Sequence, residues 1–508
     1  MSDLPISDVE QTSQNAKLTA PTLDHVWLAA ALALIALRPL LTAVQPHDFW
    51  WHLAMGREIL ARGGVPAVDS YSYTRAGEPF YDQSWLAQLL MYGLHQLGGV
   101  ELLVIVQALV ILLAYGLLLR LCVLRSGRLR LSVALLLASL PVVFDNWNIR
   151  PQSYALPLFA AVLTIVTEGR LGRPQRLWLL PLLLALWANV HGTFVLGLGL
   201  IGITWLGEVF KRLGPRIQKA EPPDVAELKT QNSTLKTLFF WGVLSGLATL
   251  LNPGGLAIIG YVRGLLGSSA VTSLVTEWAP PTVRDTGGLL FFLFLIGTAA
   301  VLIYARRRPD LTDMLLCGAF LWLALGASRS IIWFGMVALP LLAVQAATLL
   351  PPPGQPAPGA PVLNRALIGM LALLLVLGLP WVKPLLLPPP AGALLAPETP
   401  VAATEALRAL PERPQRLFHA MSYGSYLIWA APEQGVFIDP RIELYPFQQW
   451  RDYLNLSQAN NVAELQRSYG FDGMLLSTNE QRALIDALRR DPAWQQRYED
   501  EQSVLFTK

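Results

Sequence analysis

Long apolar runs alternate with short polar connections along the first three quarters of the chain. A membrane-spanning helix needs about 17–25 predominantly apolar residues to cross a hydrocarbon core of roughly 30 Å. By that criterion the pattern predicts about eleven spans, at 26–44, 100–122, 131–144, 153–168, 177–190, 193–210, 237–251, 288–305, 311–327, 331–350 and 365–383. The predicted fold class is therefore a polytopic α-helical membrane protein, with its transmembrane region over 26–384.

The connection over 45–99 is too long and too regular in its pattern to be a simple loop. Apolar residues recur at helical spacing from Trp51 to Ala61, and the Gly63-Gly64 pair that follows is typical of a helix C-terminus. A second amphipathic helix is predicted from Ser84 to Leu97. Amphipathic helices of this kind lie along a membrane interface, so a structured first loop is expected between the first two spans.

A Pro-rich run over 385–400 separates the last span from a C-terminal region with the composition of a soluble protein. Short helical and strand patterns alternate from 401 to 508, which predicts a small α/β domain. Its predicted helices are 401–410, 423–430, 446–455, 461–469 and 479–491, and its predicted strands are 415–419, 435–439, 472–477 and 502–507. A second Pro-rich stretch, 351–364, is predicted to be a semi-rigid linker between two spans.

The composition agrees with a membrane protein. Hydrophobic residues make up 53% of the chain and charged residues only 14%, and the mean hydropathy is +0.44, which is too apolar for an ordinary soluble protein. A net charge of +3 over 508 residues gives no indication of a nucleic-acid partner. Cys122 and Cys317 lie in or at the edge of apolar runs, so neither a disulfide framework nor a thiolate metal site is predicted.

Basic residues cluster in alternate connections between the predicted spans, and such connections are cytoplasmic by the positive-inside rule. The clusters are Arg120, Arg125, Arg128 and Arg130; Arg170, Arg173 and Arg176; Lys211, Arg212, Arg216, Lys219 and Lys229; and Arg306, Arg307 and Arg308. This orientation predicts a multi-pass plasma-membrane protein with a cytoplasmic N-terminal tail over 1–25. It also places the 45–99 and 252–287 loops and the 401–508 domain outside the cytoplasm. The tail lacks the basic region and cleavage site of a secretory signal.

The segment PHDFWWH at 46–52 directly follows the first apolar run. A carboxylate and two imidazoles at the end of a membrane span are costly to hold there, which favours a functional role. Asp48 is suited to act as a general base toward a hydroxyl group. It is equally suited to cap a helix that begins near Trp50. The spacing leaves both roles open, with His47 and His52 as neighbours of the carboxylate.

Three arginines occupy positions where basic residues are not expected. Arg150 and Arg329 fall at the outer ends of predicted spans, and a guanidinium group is well shaped for bidentate phosphate binding. The alternative is an ion pair with Asp48 or Asp145. Arg38 lies inside the first span, where it either snorkels outward or pairs within the helix bundle.

Further candidates lie in three other segments. His191, in WANVHG, is either a packing residue or a group that orients the nearby carboxylate, contacts a phosphate or holds a metal. Glu277, in EWAPP, either binds a sugar or belongs to a solvated loop. The segment FIDPRIELY at 437–445 places charged residues just past a predicted strand end, where open α/β sheets commonly bind ligands. An internal Asp439–Arg441 ion pair explains that segment equally well.

Taken together, these features resemble the GT-C superfamily of membrane glycosyltransferases. The resemblance rests on an acidic residue in a long first outer loop, two interfacial helices in that loop, about a dozen spans and a trailing soluble domain. More narrowly, the segments DFWWHLAMGREILARGGVPAVDSYSYT, WANVHG, ASRS, GSYLIW and FIDPRIELY are similar to bacterial proteins related to dolichyl-phosphate-mannose-protein mannosyltransferases. The similarity covers most of the chain.

The resemblance implies an integral-membrane enzyme that moves a sugar from a polyprenyl-phosphate-linked donor to an acceptor hydroxyl on the outer face of the membrane. Asp48 matches the catalytic acid of the family's first loop, and Arg329 corresponds to residues that hold the lipid phosphate. Many relatives carry two adjacent acids in that loop, whereas His47 and Phe49 flank Asp48 here. The candidate substrate- or phosphate-binding residues are Arg329, Arg150, His191, His52, His47 and Glu277. A divalent metal ion is the one cofactor implied, with no ligand set assigned.

Two other functions remain open at this stage. One is a transporter or flippase of lipid-linked sugars, which inverted repeats would favour. The other is a non-catalytic GT-C-like subunit whose soluble domain recruits partners, which the missing second acid keeps open. The sequence does not specify the sugar or the acceptor, which is a lipid, a glycan or a protein.

Overall fold

The computed structural model of the protein describes residues 21–217, 225–267, 276–352 and 360–508. Most of the predicted N-terminal tail and the centre of the 351–364 linker lie outside these ranges. The helices of the first part are α1 Leu23–Leu41, α2 Pro46–Arg62, α3 Trp85–Ser126, α4 Leu129–Ser139, α5 Pro151–Arg170, α6 Leu180–Val190, α7 Phe194–Ile217, α8 Val225–Ala248, α9 Ala257–Gly267, α10 Thr286–Tyr304, α11 Leu311–Gly326, α12 Ile331–Ala347, α13 Pro361–Leu377 and the single turn α14 Lys383–Leu386.

Five stretches of helix in the described ranges are long and apolar enough to cross a membrane: Leu23–Leu41, Trp85–Ser126, Phe194–Leu213, Thr286–Tyr304 and Ser328–Ala347. Three shorter apolar helices accompany them, at Leu129–Val142, Leu311–Gly326 and Pro361–Leu377. A helical membrane protein is thus confirmed in outline, and the count of about eleven spans stays a prediction. Helix α9 was not predicted, although its residues, AIIGYVRGLLG, are mostly apolar, because the run is shorter than a span.

The first loop contains the two expected helices, with changed boundaries. Helix α2 begins at Pro46, five residues before the predicted start, and Pro is favoured at the first helical position because it lacks an N–H. It ends where Gly63 adopts a left-handed conformation with φ of 69°, which glycine adopts without steric cost. The second predicted helix is the first part of α3, separated from the spanning part by non-helical backbone at Gly98 and Gly99.

A buried lysine joins the end of α1 to the region after α13. Lys383 has no exposed surface, and its Nζ donates to the carbonyl oxygens of Leu40 at 3.2 Å and Leu41 at 3.5 Å. These carbonyls belong to the last turn of α1, which has no further helical N–H to pair with them. A positive charge at a helix C-terminus is also favoured by the helix dipole.

Replacing Lys383 with Met is expected to destabilise the protein by about 1–3 kcal/mol, because carbonyl groups that are buried lose their hydrogen-bond donor. Thermal unfolding in detergent, followed by tryptophan fluorescence, measures the change. Lys508→Met is the matched control, since Lys508 is exposed at the C-terminus. Equal midpoints for the two variants would contradict the capping role of Lys383.

The C-terminal region forms a small α/β layer. Its helices are α15 Val401–Arg408, α16 Met421–Ala430, α17 Phe447–Ser457, α18 Val462–Tyr469 and α19 Arg482–Leu488, and its strands are β1 Leu417–His419, β2 Gly473–Ser477, β3 Gln495–Glu499 and β4 Ser503–Thr507. The strand order is β1-β2-β4-β3, with β1 parallel to β2 and the other pairs antiparallel.

One strand prediction was wrong, and one strand was missed. No strand forms at 435–439, where Val436 instead makes a single bridge with Ser72 of the first loop. Strand β3 was missed because its side chains are mostly exposed and its residues, QQRYE, carry no alternating apolar pattern. Its partner β4 is fully buried and was predicted correctly within one residue.

The core of the α/β layer continues into α2. Trp51, Met55 and Ile59 of α2 belong to the same buried cluster as the C-terminal strands and helices. The backbone N–H of Trp51 donates to the hydroxyl of Ser425 on α16 at 3.0 Å. A Cβ atom at Gly424 would lie 2.5 Å from the carbonyl oxygen of Ile438, so glycine permits this close packing. The GSYLIW segment therefore fixes the helix that carries Asp48.

Candidate functional site

Asp48 lies in the first turn of α2, where Gln45 is the N-cap residue. The interpretation of Asp48 as the cap of a helix starting near Trp50 was therefore wrong. A carboxylate in this turn is favoured by the positive end of the helix dipole. Its side chain is 32% accessible, and no described residue donates a hydrogen bond to it. Its ion-pair partner is Arg150, whose Nη1 lies 3.8 Å from Oδ2.

Arg150 connects two carboxylates that come from different loops. Its Nη1 donates to Glu277 Oε1 at 2.9 Å and to Oε2 at 3.1 Å, while the same nitrogen faces Asp48. Glu277 therefore lies on the same guanidinium group as Asp48, with its side chain 39% accessible, and both of its predicted alternatives stay predictions. The Nε and Nη2 atoms of Arg150 are buried without a hydrogen-bond partner among the described residues. These free donors are available to an anion.

The turn that carries Arg150 is held by α3 and α5. Gln107 on α3 is buried, and its Nε2 donates to the carbonyl of Trp147 at 2.9 Å and contacts Ser153 at 3.0 Å. Ser153 in turn donates to the carbonyl of Asn148 at 2.6 Å. Arg150 is the N-cap residue of α5, with extended backbone, so it leaves the helix at the end where backbone N–H groups are unpaired.

Arg329 reaches the same end of α5 from another direction. It lies in the 3₁₀ turn Ser328–Ser330, and its Nη2 donates to Oε1 of Gln152 at 3.1 Å. Its guanidinium carbon lies 4.8 Å from the ring centroid of Trp278. The N–H of Ser328 donates to the carbonyl of Ala279 at 2.9 Å, which ties the Glu277 loop to the arginine turn. Both arginines expected at the outer ends of spans therefore converge on one site.

The two carboxylates of the site have opposite electrostatic settings. Burial raises the pKa of Asp48 above its ordinary value, and the charge of Arg150 offsets only part of this effect. Burial alone would also raise the pKa of Glu277, but the guanidinium groups of Arg150 and Arg329 hold it below its ordinary value. Glu277 is thus the paired anion, and Asp48 is the weaker acid whose ionised form is a better proton acceptor.

The three candidate histidines lie around this pair in different settings. His191 Nδ1 accepts from the backbone N–H of Thr193 at 3.2 Å, which leaves the ring proton on Nε2. Burial, with smaller contributions from Arg329 and Arg150, lowers its pKa to about 3, so the ring is neutral. Burial also places the pKa of His52 well below its ordinary value. His47 is exposed at the start of α2.

Sequence reasoning missed a set of hydrogen-bonded polar side chains next to His52. Gln88 Nε2 donates to Asp82 Oδ1 at 2.8 Å and lies 3.1 Å from His52 Nδ1. Burial raises the pKa of Asp82 to about 7, despite the hydrogen bond from Gln88. A signal existed, because Asp82 and Gln88 precede and interrupt an otherwise apolar helical pattern.

Glu443 was also missed as a neighbour of the site. Burial raises the pKa of Glu443, and the negative charge of Asp48 acts in the same direction. The charge of Glu443 in turn acts on Tyr261. Its signal was the FIDPRIELY segment, in which the Asp439–Arg441 ion pair does form, with Nη2 2.6 Å from Oδ2.

The arrangement does not provide a typical metal site. Among the described residues no group of three or more His, Cys, Asp or Glu side chains is placed to hold a metal ion. The guanidinium of Arg150 lies against both carboxylates, at the position where a divalent cation would neutralise them. The residues therefore do not fit the divalent metal ion that the resemblance implies, and the chemistry below uses protein groups alone.

Comparisons with known proteins give a result at the level of structure. No protein-family model matches the sequence, and no curated protein sequence matches it significantly. The fold is similar to that of the archaeal oligosaccharyltransferase AglB from Archaeoglobus fulgidus in complex with an inhibitory peptide and a dolichol-phosphate. The TM-score is 0.53 and the identity 10%, over 89% of this chain and 69% of AglB. It is also similar to ArnT from Cupriavidus metallidurans in the apo state, with a TM-score of 0.51 and 14% identity, over 94% of this chain and 97% of ArnT.

The chain therefore shares its fold with AglB and ArnT, and its membership of the GT-C superfamily stays a prediction. At these identities the likeness concerns the fold. The finer assignment to the group related to dolichyl-phosphate-mannose-protein mannosyltransferases stays a prediction.

Proposed function

We propose that the protein is an integral-membrane glycosyltransferase that uses a polyprenyl-phosphate-linked sugar donor, with Asp48 as the general base. The observation that carries this proposal is the single site at which Asp48, Arg150, Glu277 and Arg329 meet, although they come from four separate segments. The fold shared with AglB, and the dolichol-phosphate bound to that protein, support the class of donor.

The proposed reaction begins with an acceptor hydroxyl next to Asp48. As the acceptor oxygen forms its bond to the anomeric carbon of the sugar, the hydroxyl proton passes to the Asp48 carboxylate. The bond between that carbon and the phosphate oxygen breaks, and its electron pair leaves with the lipid phosphate. A carboxylate that has no hydrogen bonds from described residues, and whose pKa is raised, is suited to accept this proton.

The arginines are proposed to bind and stabilise the phosphate that leaves. Nε and Nη2 of Arg150 lack partners among the described residues, and Arg329 lies at the same helix start. A helix N-terminus adds further positive potential. Preorganised donors of this kind stabilise charge that develops in the transition state, so no separate general acid is needed for a phosphate leaving group.

His191, His52 and His47 are proposed to contact the substrates as neutral or exposed groups beside these charges. In this proposal the site and the α/β domain lie outside the cytoplasm, as the distribution of basic residues predicts. The domain would cover the site and contribute Glu443 to it. The acceptor, a lipid, a glycan or a protein, would approach between the two.

The proposed function predicts that the protein consumes a lipid-linked sugar rather than only moving it. Protein reconstituted in liposomes with polyprenyl-phosphate sugars is expected to release free polyprenyl phosphate when a hydroxyl acceptor is present. Mass spectrometry of the lipid fraction measures this conversion. Transfer of intact donor between leaflets without conversion would instead identify a flippase, and neither result with a panel of donors would favour a non-catalytic subunit.

A further inference from the structure

A second cationic group, Arg38, lies at the α1 end of the α1–α2 connection, whereas Asp48 lies at its α2 end. Arg38 is in the last turn of α1, and its Nη1 donates to the Thr42 hydroxyl at 2.6 Å, while that hydroxyl donates to the Arg38 carbonyl at 2.7 Å. The side chain therefore points along the helix toward its end, as a snorkelling arginine does. Its guanidinium carbon lies 5.3 Å from the ring centroid of Phe144.

Arg38 makes no ion pair with a carboxylate among the described residues, unlike Arg150, Arg125 and Arg170. Among the described residues only Nη1 has a hydrogen-bond partner, the Thr42 hydroxyl. The side chain is half-buried, and Nε and Nη2 bond to none of the described residues. They form the edge of the guanidinium group that binds an oxyanion in bidentate geometry.

Arg38 lines a cavity of about 240 Å³. Its polar lining comes from Arg38, Thr42, Gln45 and Asn148, and the rings of Phe144 and Trp147 form the apolar side. Such a cavity is larger than a single bound water requires. This lining combines one guanidinium group, neutral polar groups and two aromatic rings. It matches a ligand with a single anionic group attached to an apolar body.

The position of the cavity further restricts the class of ligand. Arg38 is one turn from the end of a membrane-spanning helix, which is the depth of lipid headgroups, and Trp147 is a residue type enriched at that depth. The Asp48 site is built from different arginines, Arg150 and Arg329, whose charges act on Asp48.

We propose that the Arg38 cavity is a second phosphate-binding site, separate from the Asp48 site, which holds the phosphodiester headgroup of a membrane phospholipid. The phosphate oxygens accept from Nε and Nη2 of Arg38. The glycerol and the first methylene groups contact Phe144 and Trp147. The bound lipid thereby fixes the connection between α1 and α2. This proposal does not depend on sugar transfer.

Native mass spectrometry of the full-length protein, titrated in detergent with phosphatidylglycerol, tests it. The wild-type protein is expected to retain one phosphatidylglycerol that Arg38→Gln binds about tenfold more weakly or not at all, because the bidentate contact is lost. Arg38→Lys, which keeps the charge but not the fork, is expected to fall between the two. Arg62→Gln is the matched control, since Arg62 is exposed at the end of α2.

Three outcomes would overturn the proposal. Undiminished binding of phosphatidylglycerol by folded Arg38→Gln and Arg38→Lys would show that Arg38 does not hold the lipid phosphate. Loss of the bound lipid in Arg329→Gln, with Arg38→Gln unaffected, would place the phosphate at the Asp48 site. Inorganic phosphate that displaces the lipid at equal concentration would show a site for free anions. If Arg38→Gln does not fold, the Arg38→Lys titration against the wild-type protein decides the question.

Discussion

Asp48→Asn is expected to lower kcat for sugar transfer by about 10²- to 10⁴-fold, the range that a positioned general base contributes. Asparagine has nearly the same shape and stays in the first turn of α2, but it cannot accept the proton of the acceptor hydroxyl. Donor binding is expected to change little, because the arginines that would hold the phosphate remain. Initial rates of polyprenyl phosphate release, measured over donor concentration, separate the two effects.

The pH profile and the stability of the same variant provide an independent check. Because burial raises the pKa of Asp48, transfer by the wild-type enzyme is expected to fall with decreasing pH at a higher pH than for an ordinary carboxylate. An acid whose pKa is higher in the folded state costs stability above that pKa, and this cost is absent below the unfolded value of 3.8. Asp48→Asn is therefore expected to unfold at an equal or higher temperature than the wild-type protein at pH 7.

Glu78→Gln serves as the matched control, since Glu78 is an exposed acid of the same loop, 3.4 Å from Arg75. It is expected to leave both rate and unfolding temperature unchanged. Transfer at the wild-type rate by folded Asp48→Asn would refute the assignment of Asp48 as the base.

Arg441→Met is expected to destabilise the protein by about 3–5 kcal/mol, the cost of removing one partner from a buried ion pair. Arg441, Asp439 and Asp69 have no exposed side-chain surface. Arg441 Nη1 lies 2.7 Å from Asp69 Oδ1, and its Nε and Nη2 donate to Asp439 at 2.9 Å and 2.6 Å. Without the arginine, two buried carboxylates lose their counter-ion.

The ion group also joins the α/β domain to the first loop, because Asp69 lies between α2 and α3. The guanidinium carbon of Arg441 lies 5.1 Å from the ring centroids of both Tyr71 and Phe80, which belong to the same loop. Loss of Arg441 is therefore expected to lower kcat as well, since α2 and Asp48 lose their support. Thermal unfolding in detergent and donor turnover measure the two effects.

Arg413→Met is the matched control for this variant, because Arg413 is an exposed arginine of the same domain that pairs with Glu433 at 2.6 Å. A surface ion pair contributes about 0–1 kcal/mol, so its unfolding temperature is expected to change little. The triple variant Arg441→Met, Asp69→Asn, Asp439→Asn is expected to recover part of the stability, since no uncompensated charge remains. Equal losses for Arg441→Met and Arg413→Met would contradict the role of the buried group.

Local pattern predicted many of the elements. Apolar runs of spanning length predicted the bundle, and the Gly63-Gly64 signal predicted the end of α2, because helix termination depends on nearby residues. The first strand of the α/β layer and β4 were found from their buried residues. The strand predictions failed where contacts with residues distant in sequence determine the structure. Strand β3 pairs through exposed residues, and the segment at 435–439 pairs with the first loop instead of joining the sheet.

The sequence by itself determined a helical membrane protein with an acidic residue after its first span, because burial in lipid demands apolar runs of fixed length. It also marked Asp48, Arg150 and Arg329 as unusual. Only the tertiary structure decided that Glu277 lies beside Asp48, since 229 positions separate two side chains that meet on one guanidinium group. Contacts between charged groups depend on distance in space, which hydrophobic periodicity along the chain does not encode.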